Sequence, residues 1–290
     1  MTLRIGWFAT ARGTTSAKLL RAALEAIDAG MDARISFVFS NRDPGDFENT
    51  DRFFDEVRAA GIPLVTLSNT KFRRRVGGKP SREGEPLPEW RREYDAEIAK
   101  LVEPYGFDLG VAAGYMLIFT DVLYQRWPLI NLHGAAPDGP IGVWQDVVWQ
   151  LIEQRASESG VLIFLADGNL DRGPVVTYCR YSLRGPGIDE LWAKVGDRTV
   201  AEIKSAEGED NPLFQEVRAR GVAREIPLLV ETLRGFADGR FRIRSVPGGF
   251  EVTDAEGRPL AGVDLSQRVE ELVAGSPGLA APETPAAPGP

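Results

Sequence analysis

Short apolar runs alternate with amphipathic stretches along the first part of the chain. Residues 3–10, 34–39 and 62–67 are short, apolar runs of the kind found in buried strands. Residues 16–29 and 50–60 lie between them, carry apolar side chains at helical spacing, and are each followed by glycine, as helices often are. This strand–helix–strand order predicts a parallel sheet.

The alternation continues through most of the remaining sequence. Its pattern predicts strands at 108–115, 129–133, 161–166 and 175–184, and helices at 88–103, from 121, at 143–154, 188–206 and 214–236. Residues 71–87 are basic and aperiodic and are predicted to form a mobile surface loop. The fold class predicted is α/β, a Rossmann-like open and mostly parallel sheet flanked by helices, with a small C-terminal extension.

The end of the chain differs in pattern and composition from the rest. Residues 241–262 alternate around glycine-containing turns, which predicts small hairpins. The final segment is rich in Ala, Pro and Gly and has too few bulky apolar side chains to order itself. We therefore predict a main domain at 1–245, a hairpin and helix extension at 246–274, and a disordered tail at 275–290.

Composition excludes several classes of protein. The chain has 290 residues and a formal net charge of −8, which argues against a nucleic-acid-binding protein. A single cysteine, Cys179, and a single histidine, His133, exclude an internal disulfide framework and a structural zinc site, and no metal is expected. No apolar run reaches the roughly 18 residues of a membrane span, and the N-terminus lacks a signal-peptide pattern, so the cytoplasm is the expected location. Cys179 is predicted to be a buried strand residue, and Trp144 and Trp149 are predicted to serve packing.

The loop after the first strand carries small, hydroxylated and basic residues. Ligands of open parallel sheets bind beyond the carboxyl ends of the strands. Arg12, Gly13, Thr14 and Thr15 lie at such an end and lead into a helix, an arrangement that suits a phosphate. The alternative is a plain turn capped by Thr and Ser, and spacing alone favours it. The loop matches neither G-x-G-x-x-G nor the P-loop, so neither NAD nor ATP is indicated.

The fifth predicted strand ends in Asn131-Leu132-His133. Asn131 and His133 point to the same face of a strand, where an amide can hold an oxyanion and an imidazole can carry a proton. The alternative is a buried histidine satisfied by backbone groups. Two observations weigh against that alternative, since His133 is the only histidine and lies at a strand end.

A tight turn, residues 168–174, contains a third candidate, Asp171. A carboxylate close to His133 would favour the charged imidazole. The alternative is a turn aspartate that bonds to its own backbone.

Taken in chain order, these elements resemble the 10-formyltetrahydrofolate-dependent formyltransferase family, and within it the phosphoribosylglycinamide formyltransferases. The Asn131-Leu132-His133 and Asp171-Arg172-Gly173-Pro174 segments carry the specific part of the resemblance. Weaker matches run from about residue 3 to 245; they are Gly13-Thr14, Phe39-Ser40-Asn41, Ala60-Gly61-Ile62, Glu93-Tyr94-Asp95, Ala113-Gly114-Tyr115-Met116 and Phe236-Ala237-Asp238-Gly239-Arg240-Phe241.

The resemblance implies roles for particular residues. Asn131, His133 and Asp171 would be catalytic, the amide and imidazolium stabilising the oxyanion and Asp171 keeping His133 charged or positioning a water. The first loop would hold the phosphate of glycinamide ribonucleotide, the acceptor, and Arg91 would lie near it. The pocket for 10-formyltetrahydrofolate, the co-substrate, would be lined by Tyr115, Met116, Leu117, Ile118, Asp167 and Leu170. The implied partners are small molecules, not nucleic acid or membrane, and the implied state is monomer or homodimer.

Several departures from the family pattern concern the acceptor. The family histidine is usually followed by Pro-Ser-Leu-Leu-Pro, whereas here residues 134–140 are Gly-Ala-Ala-Pro-Asp-Gly-Pro. Leu117 replaces a common arginine, and a family glutamate falls near Val222, close to Arg224 and Glu225. Four functions stay open at this point: formyl transfer to the ribonucleotide, formyl transfer to an amino sugar, hydrolysis of formyltetrahydrofolate, and non-catalytic ligand binding.

Overall fold

The computed structural model describes residues 1–81, 85–169 and 172–275. Its strands are β1 (Leu3–Ala9), β2 (Ala33–Ser40), β3 (Leu64–Thr66), β4 (Leu109–Ala112), β5 (Leu129–His133), β6 (Glu158–Leu165), β7 (Val175–Ser182), β8 (Arg242–Val246), β9 (Gly249–Thr253) and β10 (Val263–Asp264). Its α-helices are α1 (Thr15–Asp28), α2 (Glu48–Ala59), α3 (Asn69–Arg75), α4 (Trp90–Val102), α5 (Asp121–Tyr124), α6 (Trp144–Glu153), α7 (Ile188–Val195), α8 (Val200–Ala206), α9 (Pro212–Ala237) and α10 (Ser266–Gly275).

Eight strands form one sheet in the order β10-β7-β6-β5-β4-β1-β2-β3. The pairs β1–β2, β1–β4, β2–β3, β4–β5 and β7–β10 are parallel, and β6–β7 is antiparallel. The strand order reverses at β1, whose neighbours are β2 and β4, as in the doubly wound folds that bind ligands at such a point. The predicted fold class is confirmed.

The chain divides into two compact units. Unit 1 contains residues 1–131, 165–174 and 233–260. Its core is built around Phe8 on β1, whose ring lies 5.5 to 6.3 Å from the rings of Phe37, Phe39, Phe107, Tyr115 and Phe119. All five contacts are tilted or edge-to-face, and edge-to-face is a geometry that aromatic pairs prefer.

Unit 2 contains residues 132–164, 175–232 and the segment from 261 onward. Strand β6 is buried along nearly its whole length, and Trp149 of α6 lies 4.5 Å from Phe214 of α9, centroid to centroid. Cys179 on β7 is fully buried, and Trp149 is 5% exposed, which agrees with the packing roles predicted for both.

The prediction of a loop from residue 71 was wrong at its start, where α3 includes Lys71 and the three arginines that follow Phe72. Ser68 caps this helix by accepting from the amide of Lys71, and Phe72 is buried with its ring 5.3 Å from that of Tyr94. One buried aromatic and a cap stabilise a helix too short to show a period in the sequence. The predicted helix at 188–206 is likewise two helices, because Gly196 ends α7 with a positive φ and Thr199 begins α8 with a capping box.

The C-terminal region contains the predicted hairpin, in which β8 and β9 pair antiparallel, followed by β10 and α10. The domain boundaries at 245 and 274 stay a prediction. The predicted tail lies outside the described residues after Gly275. Within the described chain, no helix is long and apolar enough to cross a bilayer.

Candidate active site

The loop after β1 is joined to the loop after β4. The amide of Thr10 donates to the carbonyl of Gly114 at 3.1 Å, and its hydroxyl accepts from the amide of Met116 at 2.8 Å. Ser16, at the start of α1, donates to the carbonyl of Ala113 at 2.9 Å. Gly114 has φ +69°, and a Cβ there would lie 2.7 Å from Ser16 Oγ, so this close approach requires glycine. The predicted phosphate loop and the predicted folate loop therefore form one surface of unit 1.

The backbone of the predicted phosphate loop is held in an unusual conformation. Ala11 has φ +54° although it is not glycine, and such outliers often occur at ligand sites. Thr50 Oγ1 donates to the carbonyl of Ala11 at 3.0 Å, and Asn49 Nδ2 donates to the carbonyl of Arg12 at 3.2 Å, so α2 fixes this turn.

The predicted phosphate-binding residues lie at the surface of this turn. Arg12, Gly13 and Thr14 are exposed and Thr15 is half-buried. A Cβ on Gly13 would meet nothing within 4 Å, so open space adjoins the loop. The geometry suits an anion, and the phosphate-binding role stays a prediction.

The predicted folate-binding residues differ in exposure. Tyr115 is buried and stacks on Phe119 at 4.8 Å, whereas Met116 is 62% exposed and Leu117 and Ile118 are half-buried. Tyr115 therefore supports the loop, and Met116 presents an apolar side chain to solvent. Two further residues of the predicted pocket belong to the turn after β6.

In that turn, Asp167 accepts from the amide and Nδ2 of Asn169 at 3.0 and 3.1 Å. Leu170 and the predicted catalytic residue Asp171 lie outside the described residues, so their roles stay predictions.

Helix α4 supports the predicted folate loop through two buried charged residues. Arg91 is 2% exposed, and its Nη2 donates to the carbonyl of Ile118 at 2.7 Å. Asp95, one turn later, is fully buried and accepts from the amide of Thr120 at 2.6 Å. Burial raises the pKa of Asp95 to about 6, while the hydrogen bond from the Thr120 amide and the charge of Arg91 lower it. The described contact of Arg91 is thus with the loop, and its predicted contact with substrate stays a prediction.

Sequence reasoning named Asp95 within the family resemblance but gave it no function. The sequence gives one signal that Asp95 supports the loop after β4. Arg91 and Asp95 are four residues apart, so they lie on one face of the same helix.

Strand β5 carries two of the predicted catalytic residues. Asn131 is half-buried and pairs in register with Ala112, the last residue of β4, so it lies beside the start of the predicted folate loop. His133, two residues later, is 7% exposed, and its Nε2 lies 2.9 Å from the carbonyl oxygen of Pro140. Because a carbonyl oxygen only accepts, this hydrogen bond requires a proton on Nε2.

The loop at 134–142, where the sequence departs from the family, packs closely on β6. Ala135 is fully buried, and the amide of Gly139 donates to the carbonyl of Ala136 at 2.8 Å. A Cβ on Gly160 of β6 would lie 2.9 Å from Ala136 Cα and 2.5 Å from the carbonyl oxygen of Cys179. Glycine at 160 therefore lets the loop backbone approach the sheet.

An ion pair fixes the outer part of the same loop. Asp138 Oδ1 lies 2.6 Å from Nη2 of Arg180 on β7, and Arg180 Nη1 lies 2.9 Å from Glu158 Oε1 on β6. The Arg180 guanidinium lowers the pKa of Asp138. These contacts hold the segment that delivers the Pro140 carbonyl to His133.

A partly buried ion pair on α9 also lies close to this loop. Arg218 Nη1 is 2.7 Å from Glu225 Oε1, and the guanidinium lies over the ring of Trp144 at 4.8 Å. Arg218 is also the nearest group to a Cβ built on Gly134, at 4.0 Å. The sequence analysis noted Glu225 only because it is close to Val222, and it did not identify Arg218. No local pattern indicates Arg218, because its partner Glu225 is seven residues away and its partner Trp144 lies on another helix.

The lone cysteine is not an activated nucleophile. Burial raises the pKa of the Cys179 thiol to about 12, so the thiol stays protonated near neutral pH. Arg224, which was noted near the expected family glutamate, pairs instead with Glu270 of α10 at 2.5 and 2.8 Å.

Comparison with known proteins gives a family match and several structural neighbours. A family model described as formyl transferase matches residues 3–182. Phosphoribosylglycinamide formyltransferase from Coxiella burnetii aligns with a TM-score of 0.61 at 22% identity, covering 91% of this chain and 99% of that one. Glycinamide ribonucleotide transformylase 1 from Symbiobacterium toebii aligns at 0.58 and 23% identity, covering 87% and 95%.

A third solved structure bears a different activity in its name. A formyltetrahydrofolate deformylase from Pseudomonas syringae pv. tomato aligns with a TM-score of 0.51 at 17% identity, covering 88% of this chain and 67% of that one. No curated protein sequence matches the chain. At these identities the solved structures bear on the fold, whereas the family model covers more than half of the sequence. The resemblance seen in the sequence is therefore confirmed, and the chain belongs to the formyl transferase family.

Proposed function

We propose that this protein transfers the formyl group of 10-formyltetrahydrofolate to the primary amine of glycinamide ribonucleotide. The observation that carries the proposal is the end of β5, where Asn131 lies in register with the last residue of β4 and His133 follows it on the same strand. An amide and an imidazole so placed suit acyl transfer at the carboxyl edge of the sheet.

The residues around the β4 loop fit a folate as co-substrate. Met116 is a large apolar side chain that is 62% exposed, and the buried Tyr115 hydroxyl has no hydrogen-bond partner among the described residues. Met116, with Leu117 and Ile118, would contact the folate, which supplies the formyl group when bound. Asp167 would bound the other side of the same pocket, as would Leu170.

Asn131 and His133 act on the formyl group as the acceptor nitrogen adds to its carbon. The Asn131 amide donates a hydrogen bond to the oxygen that gains negative charge, and protonated His133 adds a second donor. As the bond between the formyl carbon and the folate nitrogen breaks, that nitrogen gains a proton and the acceptor nitrogen loses one. Asp171 would keep His133 charged or hold a water that carries the proton.

The Pro140 carbonyl prepares His133 for this role. It accepts from Nε2 and so fixes the orientation of the ring.

The experiment is a folate assay with a panel of acceptors. Purified protein is mixed with 10-formyltetrahydrofolate alone, with glycinamide ribonucleotide, or with an amino-sugar nucleotide, and tetrahydrofolate and the formylated product are quantified. Release of tetrahydrofolate only with the ribonucleotide, in equal amount to formylated ribonucleotide, is the expected result. Release that needs the amino-sugar nucleotide instead would contradict the choice of acceptor.

Hydrolysis is the second candidate, because one neighbour of the same fold is a formyltetrahydrofolate deformylase. A hydrolase would release formate and tetrahydrofolate at the same rate with or without an amine. A protein that binds folate but releases no tetrahydrofolate under any of these conditions would be a non-catalytic relative.

A further inference from the structure

Two arginines from different loops of unit 1 share one aromatic ring. Phe47 immediately precedes α2 and is 37% exposed. The guanidinium carbon of Arg12, in the loop after β1, lies 5.3 Å from the centre of this ring, and that of Arg42, after β2, lies 5.1 Å from it. We call these three residues the arginine pair site.

Neither guanidinium of this site is neutralised within the described chain. No ion pair or guanidinium hydrogen bond joins Arg12 or Arg42 to a described residue, and the Nε of Arg42 is a buried donor without a described acceptor. Burial lowers the pKa of Arg42, as does the nearby positive charge of Arg12. Two positive charges held beside one ring repel each other, and a bound anion would relieve this repulsion.

Two aspartates of the loop after β2, Asp43 and Asp46, share one lysine of α3. Lys71 Nζ lies 3.0 Å from Asp43 Oδ2 and 3.3 Å from Asp46 Oδ1. Asp46 still raises the pKa of Arg42, but less than burial and Arg12 lower it. Arg12, Arg42 and Lys71 together outnumber these two aspartates by one charge, so one positive charge remains to be met.

Hydrogen bonds within the protein hold the backbone beside the site. Thr50 and Asn49 hold the carbonyls of Ala11 and Arg12, and the positive φ of Ala11 directs the turn that carries Arg12. A preformed pair of guanidiniums loses little further freedom on binding, which favours affinity.

We propose that Arg42 and Arg12 together bind the dianionic phosphate of the acceptor, so that Arg42 is a specificity-determining residue for a phosphomonoester. The inference rests on the proposed function for the identity of the acceptor. A phosphomonoester carries about −1.5 to −2 charge at pH 7 and three acceptor oxygens, which matches two guanidinium forks. A single carboxylate would neutralise only one of them. The sequence gives no sign of this role for Arg42, since Arg12, Arg42 and Phe47 come together only in the fold.

The test separates phosphate binding from catalysis. Binding of ribose 5-phosphate, inorganic phosphate and the carboxylate ligand glutaryl-glutamate is measured by calorimetry for the wild type, Arg42→Ala and Arg42→Lys. Arg52→Ala is the matched control, because Arg52 is an exposed arginine on α2 that pairs only with Glu48 among the described residues. Steady-state kinetics with glycinamide ribonucleotide are measured on the same proteins.

We expect Arg42→Ala to weaken the binding of ribose 5-phosphate about tenfold or more, the range for a lost charge-assisted hydrogen bond. KM for the ribonucleotide should rise by a similar factor, while kcat should change less than about threefold. Arg42→Lys should fall between, because it keeps the charge and loses the fork. Arg52→Ala should match the wild type. Unchanged binding of ribose 5-phosphate by Arg42→Ala and Arg42→Lys would overturn the inference, as would a loss of affinity confined to the carboxylate ligand.

The two hypotheses fail in different ways. If the wild type does not formylate glycinamide ribonucleotide but binds ribose 5-phosphate through Arg42, the proposed function fails and the arginine pair site stands. If the wild type formylates the ribonucleotide and Arg42→Ala leaves KM unchanged, only the inference fails.

Discussion

The buried carboxyl of Asp95 makes stability depend on pH in a way that one substitution should remove. Its pKa is raised from 3.8 to about 6, mainly by burial. Between these values the folded protein holds a proton that the unfolded chain has lost, so this group stabilises the fold fully below about pH 4 and loses that contribution as pH rises through about 6. The side-chain amide of the variant Asp95→Asn cannot ionise, yet its oxygen can still accept from the amide of Thr120.

The size of the effect follows from the shift. About two pKa units correspond to about 3 kcal/mol, of which about 2 kcal/mol falls between about pH 4.5 and about pH 8. The free energy of unfolding of Asp95→Asn minus that of wild type should therefore increase by about 2 kcal/mol from about pH 4.5 to about pH 8, because only the wild type loses stability over this range. Arg91 and Asp121 face the same carboxyl and act on it in opposite directions, and both are retained in the variant.

The assay is urea unfolding of both proteins at about pH 4.5 and about pH 8, followed by circular dichroism. The control is Glu93→Gln, which removes an exposed carboxylate from the same helix and should leave the pH dependence of the wild type in place. A stability difference between Asp95→Asn and wild type that is equal at the two pH values would refute the reasoning.

Three further predictions concern the loop at 134–142 and helix α3. Asp138→Ala should change the free energy of unfolding by less than about 1 kcal/mol, because the carboxylate of its ion pair with Arg180 is largely exposed. The same variant should lower kcat severalfold, because the loop that holds the Pro140 carbonyl against His133 loosens; an unchanged kcat would contradict this. Gly160→Ala should cost about 1–3 kcal/mol in chemical unfolding, since its methyl group would overlap the Cys179 carbonyl and Ala136; a neutral result would contradict the described packing. Phe72→Ala should lower the free energy of unfolding by about 3 kcal/mol, because Phe72 is the only buried residue of α3, whereas Arg73→Ala on the same helix should have little effect.

Local pattern was sufficient for most of the fold. Strand β5 was predicted with the bounds it has, because a short apolar run stands between Pro128 and a glycine. Helix α3 was missed because seven residues with one buried side chain show no period. The break between α7 and α8 was overlooked although its signals, Gly196 and the Thr199–Glu202 capping box, are in the sequence.

The candidate site was predictable only where its residues are neighbours in the chain. Asn131 and His133 share a strand, and Arg12 to Thr15 form one turn, so spacing alone brought each group together. The role of Asp95 depends on the amide of Thr120, which is 25 residues away. The role proposed for Arg42 depends on the ring of Phe47 and on Arg12, which come from other parts of the chain. Such contacts depend on tertiary packing, which no local pattern in the sequence reports.

The most direct test of the proposed chemistry is single-turnover formyl transfer by Asn131→Ala and His133→Ala, with folding checked by circular dichroism and Tm. Each variant should fold like the wild type and form formylated glycinamide ribonucleotide at least about a hundredfold more slowly, the usual cost of losing a donor to a developing oxyanion. Formyl transfer by folded His133→Ala at close to the wild-type rate would contradict the account.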